Sequence, residues 1–101
     1  MSTTEPGRAV FRYTVPVDDK AWTFDLTSDP IAVANGAILD EVDFWAEFTA
    51  GAPKTPRQFQ VFGTGRPLPP GARHVGTCPR VSGLVWHLYE IVSDAAGEPS
   101  P

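Results

Sequence analysis

The sequence predicts a small all-β domain, an antiparallel β-sandwich or open barrel of about six to seven short strands. Three observations predict it. Apolar residues recur with period two in several short runs. Eleven prolines and nine glycines fall between those runs rather than in one tract, so they punctuate turns. Two runs, Arg57 to Gly63 (RQFQVFG) and Leu84 to Ile91 (LVWHLYEI), are apolar enough to be interior strands paired at the centre of the sheet.

Taken in order, Ala9, Phe11, Tyr13 and Val15 alternate with Arg8, Val10, Arg12 and Thr14, a half-buried strand that Pro16 ends. Asp18 and Asp19 form a turn, and Trp22, Phe24 and Leu26 alternate with Thr23, Asp25 and Thr27. The two strands are expected to make a hairpin. Ile31 to Ala34 is a short strand, and Asn35-Gly36 after it signals a hairpin with a type I′ turn. Ala37 to Thr49 fits two patterns. As a helix it carries Ile38, Leu39, Val42, Trp45 and Ala46 on one stripe. As a strand beginning near Val42 it faces Val42, Phe44, Ala46 and Phe48 inward, with Asp43, Trp45, Glu47 and Thr49 outward. The Asn-Gly turn and the aromatics favour the strand.

Ala50 to Pro56 is a loop before the central strand, which Gly63, Gly65 and Pro67 stop. Pro67 to Gly71 is rigid and extended, and His74 to Cys78 is a short strand. In the last strand both faces are apolar and Trp86 is expected to be buried. Residues 1–7 and 93–101 read as disordered tails around a single domain over residues 8–92.

The net charge of −4 argues against general nucleic-acid binding, which needs a basic stripe. Cys78 is the only cysteine, which suits a reducing, cytoplasmic setting. The first residues show no apolar signal segment, and no run approaches the ~20 apolar residues of a membrane span.

FRYTVPV near the start, QVFGTGRPLP, HVGT at His74 to Thr77 and VWHLYE at Val85 to Glu90 occur in one order. Together they resemble an uncharacterised family of short β-rich proteins of actinobacteria and tailed phages, over about Arg8 to Ile91. That family has no established activity, so the resemblance implies a fold and a phage or prophage context. Its glycine block usually continues with histidine before proline. Arg66 stands there in this chain, so no role for that histidine transfers.

Chemistry is sparse. Gly63, Thr64, Gly65 and Arg66 resemble an anion nest with a hydroxyl and a guanidinium. The prolines that follow leave no room for the helix of a P-loop. His74 and His87 match no metal spacing, and His87 and Glu90 fall on opposite strand faces, so no metal and no cofactor is expected. Strict alternation would place His74, Gly76 and Cys78 on one face, a thiol–imidazole arrangement, but a lone cysteine more often packs as a small hydrophobe. No carboxylate pair suits general acid–base work. Asp40, Glu41, Asp43 and Glu47 read as a solvated acidic face, and Trp45 among them as a candidate contact residue.

These observations lead to a non-catalytic interaction module, phage- or prophage-related, that binds an unknown protein partner or itself as a homodimer. Trp45, Asp43 and Glu47 are its candidate contact residues. The strand edge for such a contact is expected at Trp22 to Leu26 or at Val42 to Phe48. The alternative is a small-ligand or nucleotide-binding protein, or a cryptic enzyme, working at Gly63 to Pro67 with Arg66 and His74 or His87.

Overall fold

A computed structural model describes residues 7–92. The expected tails, 1–7 and 93–101, lie outside the described residues apart from Gly7. The described residues form seven strands: β1 (Arg8–Pro16), β2 (Trp22–Leu26), β3 (Pro30–Asn35), β4 (Glu41–Thr49), β5 (Thr55–Gly63), β6 (Ala72–Thr77) and β7 (Trp86–Ile91). They make two antiparallel sheets, β1-β4-β3 and β2-β5-β7-β6, that pack face to face as a sandwich. The two most apolar runs, β5 and β7, are the interior strands of the larger sheet and pair with each other.

The segment with two possible periodicities is a strand, with Val42, Phe44 and Ala46 buried as the period-two pattern requires. From the opposite sheet, Phe59 of β5 meets Phe44 at a ring separation of 4.7 Å. Phe24 of β2 packs edge-on against Phe44 at 5.5 Å. Leu88, Val61, Val15, Leu26 and Cys78 complete the core.

Several pairings differ from the sequence reading. β1 and β2 are not a hairpin, because they belong to different sheets. Asp18 accepts hydrogen bonds from Lys20 N and Trp22 Nε1, and Asp19 takes a positive φ, so the chain turns out of the first sheet into the second. The two strands then meet through side chains, with Tyr13 edge-on to Phe24 at 5.7 Å. β3 and β4 do form a hairpin, but a five-residue loop joins them and neither Asn35 nor Gly36 has positive φ. Gly36 is required there by close approach, since a Cβ would lie 2.6 Å from that of Glu41. A turn with two positive φ values occurs instead at Ser82-Gly83, where Val81 and Leu84 exchange both backbone hydrogen bonds.

That turn makes Leu84 part of a projecting arm, so β7 begins only at Trp86. Trp86 is half-buried at the end of the sandwich, donating from Nε1 to Leu39 O at 3.4 Å. A bulge between His74 and Gly76 breaks the expected alternation in β6. Gly76 therefore faces Val33 of the other sheet, while His74 packs on Tyr89 outside the sandwich. Of the two strands expected to supply an edge, β2 is an edge and β4 is the centre of its sheet.

The core makes three stability predictions, checked by denaturant titration. Phe44→Ala costs about 3–5 kcal/mol, whereas Trp86→Ala, only half-buried, costs about 2 kcal/mol. Gly76→Ala costs about 1–3 kcal/mol, because the added methyl meets Val33 Cβ and Cγ2 and no rotamer of valine moves its Cβ away. A Gly76→Ala protein as stable as the wild type would contradict the close inter-sheet contact.

Candidate functional site

β5 ends in the turn Gly63 to Arg66, closed by a hydrogen bond from Arg66 N to Gly63 O at 3.1 Å. Gly65 takes φ +91°, a value that side-chain-bearing residues rarely adopt. The turn places Thr64 at the outer face of the four-stranded sheet. There Thr64 Oγ1 and His87 Nε2 share a hydrogen bond of 2.8 Å. Thr77 Oγ1 lies 3.0 Å from His87 Nδ1 and 2.9 Å from His74 Nε2. Strand register explains the row: Thr77 is opposite His87, and His74 is opposite Tyr89, so all three polar side chains and Tyr89 point the same way.

The turn separates two recesses. One, of about 170 Å³, is lined by Phe62, Leu68, His87 and Tyr89 as well as the turn. The other, of about 430 Å³, lies between the turn and the β6–β7 arm and is lined by Thr64, Arg66, Arg80, Leu84 and Trp86. Four of the expected binding residues, Gly63, Thr64, Gly65 and Arg66, thus line recesses together with His87, and His74 joins through Thr77. Both ring nitrogens of His87 are engaged by hydroxyls, which can donate or accept. Among the described residues no three His, Cys, Asp or Glu side chains converge as a metal site.

The thiol–imidazole arrangement does not form. The bulge in β6 leaves His74 on the outer face, while Cys78 is buried in the core. Burial raises the thiol pKa, and the charge of Asp43 adds to the shift, so the sulfur is a poor nucleophile where it stands.

The acidic stretch on β4 is a separate feature. Asp43, read as solvated, is buried and accepts from Thr14 Oγ1 at 2.7 Å. Glu47 makes an exposed 3.8 Å contact with Arg8. Trp45 is half-buried between Arg12 of β1 and Ala32 of β3.

The ion pair of Arg57 and Glu90, both largely buried, was not singled out from the sequence. Arg57 Nε and Nη2 donate to the two oxygens of Glu90, each at 2.8 Å. Arg57 Nη1 contacts Asp29 at 2.8 Å, and Arg73 donates to Glu90 at 2.7 Å. The hydrogen bonds from Arg57 hold Glu90 below the usual carboxylate range against the opposing effect of burial, with Arg73 adding to the shift. The same hydrogen bond raises the Arg57 pKa. The group flanks a concavity of about 850 Å³, lined also by Leu26, Ser28 and Ile91. Two cations and two anions leave it neutral, and the buried carboxylate has both oxygens occupied, so it is a fastening rather than an open binding site. A signal was present: Arg57 shares the strand phase of Phe59 and Val61, and Glu90 that of Trp86 and Leu88.

The lowered Glu90 pKa sets the sign of an acid effect. Its contribution is fully present above the unfolded value, ~4.3, and is lost as pH falls through the folded value. Glu90→Gln is therefore less stable at pH 7, and it loses less stability than the wild type on acidification below pH ~4.3. Denaturation midpoints across that range check this, and equal losses in both proteins would contradict it.

No curated protein and no solved structure matches the chain. A family model described as a domain of unknown function, DUF7352, matches residues 6–98. That match covers nearly the whole chain and shows that the chain belongs to the DUF7352 family.

Proposed function

We propose that this domain is a non-catalytic interaction module that engages a protein at the outer end of β1, a second copy of itself being the simplest partner. One observation carries the reading: an apolar, core-phase stretch of β1 lies open beside an unpaired strand edge. Among the described residues β1 pairs only with β4, so one side of its nine-residue backbone has no partner strand there. Phe11 is in the inward phase with Tyr13 and Val15, yet it is 46% exposed. It stacks on Phe48 at 5.3 Å, and Lys54 Nζ lies 5.7 Å from the Phe48 ring centre. Val10, on the other face of the same strand, is 52% exposed.

An added strand would continue the three-stranded sheet by main-chain hydrogen bonds while covering Phe11 and Phe48. Two-fold pairing of β1 with its own copy is the symmetric form of that contact. The contact surface moves from the Trp45 face to Phe11 because β4 is interior and its tryptophan already half-covered. The resemblance to proteins of actinobacteria and tailed phages supports a phage or prophage setting, and the buried lone cysteine is compatible with a reducing cytoplasm.

Size exclusion with light scattering over a range of concentrations tests this. The wild type is expected to form a dimer as concentration rises, and Phe11→Glu to remain monomeric with an unchanged circular dichroism spectrum. A wild type that stays monomeric throughout removes self-association.

A further inference from the structure

We propose that the recess between the Gly63 to Arg66 turn and the β6–β7 arm binds a nucleoside monophosphate, with the phosphate held by Arg66, Arg80 and Thr64 and the base resting against Trp86 and Leu84. Its volume of about 430 Å³ falls in the size range of small-ligand sites. Two guanidinium side chains line the same concavity of a chain whose net charge is −4. Among the described residues Arg80 makes no ion pair. Arg66 has one exposed contact, to Asp19 at 3.5 Å, of a kind worth little in water. Two like charges facing one recess repel each other, and an anion between them converts that repulsion into charge-assisted hydrogen bonds.

The rest of the lining suits the organic part of the ligand. Trp86 is half-buried, with its indole nitrogen held by Leu39 O, so the ring is fixed. The turn lies close to that ring: a Cβ at Gly63 would be in van der Waals contact with it, 3.4 Å away. Leu84 is 40% exposed on the arm beside it. A fixed aromatic ring next to cationic donors matches a planar base joined to a phosphate. Thr64 has its hydroxyl oriented by His87, which leaves a second hydrogen-bonding position for a phosphate oxygen.

This site is independent of the proposed partner contact. It lies near the Glu41 end of β4, where Leu39 meets Trp86, whereas Phe11 and Phe48 lie at the other end. Glu41 and Phe48 are about 23 Å apart along the strand.

The test is calorimetric titration of the full chain with adenosine 5′-monophosphate, with adenosine as comparison, plus amide and indole NMR shifts. Adenosine monophosphate is expected to bind, to shift Thr64, Arg66, Arg80 and the Trp86 indole, and to bind at least about tenfold more tightly than adenosine. Arg80→Ala, an exposed change outside the core, is expected to weaken it by about tenfold or more and to leave the dimer intact. Phe11→Glu is expected to leave nucleotide binding unchanged. Absence of binding at millimolar ligand, equal binding of adenosine, or unaltered binding by Arg80→Ala would each overturn the proposal.

Discussion

Glu90 lies on the core face of β7 with both carboxylate oxygens committed, one to Arg57 alone and one shared by Arg57 and Arg73. Through Asp29 and the carbonyl of Ser28, Arg57 also grips the turn that carries the chain from β2 into β3, from one sheet to the other. Thr27 and Ser28 in turn bond to Glu47 O of β4. The group therefore joins β5, β6 and β7 to the first sheet at one end of the sandwich. Removing two charges from water costs several kcal/mol, and bidentate geometry is what offsets that cost. The consequence is positional. A two-residue slip would leave Arg57 or Glu90 buried without its partner, and a one-residue slip would turn the apolar side chains of the strand to solvent, so both are unfavourable.

With that end fastened by ions, the apolar centre closes by contact between Phe44, Phe59 and Phe24. The core ends before β1 and β4 do, which leaves Phe11 exposed and Phe48 half-buried on the inner face beyond it. At the opposite end the β6–β7 arm stands away from the Gly63 to Arg66 turn and opens the cationic recess. The uncovered aromatic stack and the recess are thus both consequences of where the two sheets stop covering each other.

Strand identity was legible in the sequence because period-two burial is local. β4 declared itself through Val42, Phe44 and Ala46 despite a competing helical stripe. Pairing was less legible, since it depends on which apolar faces meet across the core. β1 and β2 are neighbours in sequence and lie in separate sheets because Tyr13 and Phe24 pack face to edge between them. The bulge in β6 was hidden for a related reason. Gly76 needs to approach Val33, a residue of the other sheet, and nothing local in His74 to Cys78 states that. At the candidate site the Gly63 to Arg66 turn was readable from its glycines, and His87 from strand alternation. Arg80 and Trp86 were not joined to it because the Ser82-Gly83 turn folds the segment between them into an arm that faces Thr64 across the recess.

The buried coupling between Arg57 and Glu90 fastens β5 to β7, and Arg57 extends it to the turn that leads into the first sheet. A double-mutant cycle on Arg57 and Glu90, replacing each by methionine and then both, measures it most directly. Each single change is predicted to cost about 3–5 kcal/mol, and the double change clearly less than their sum. Additive losses would mean that the two residues act separately, and would contradict the account.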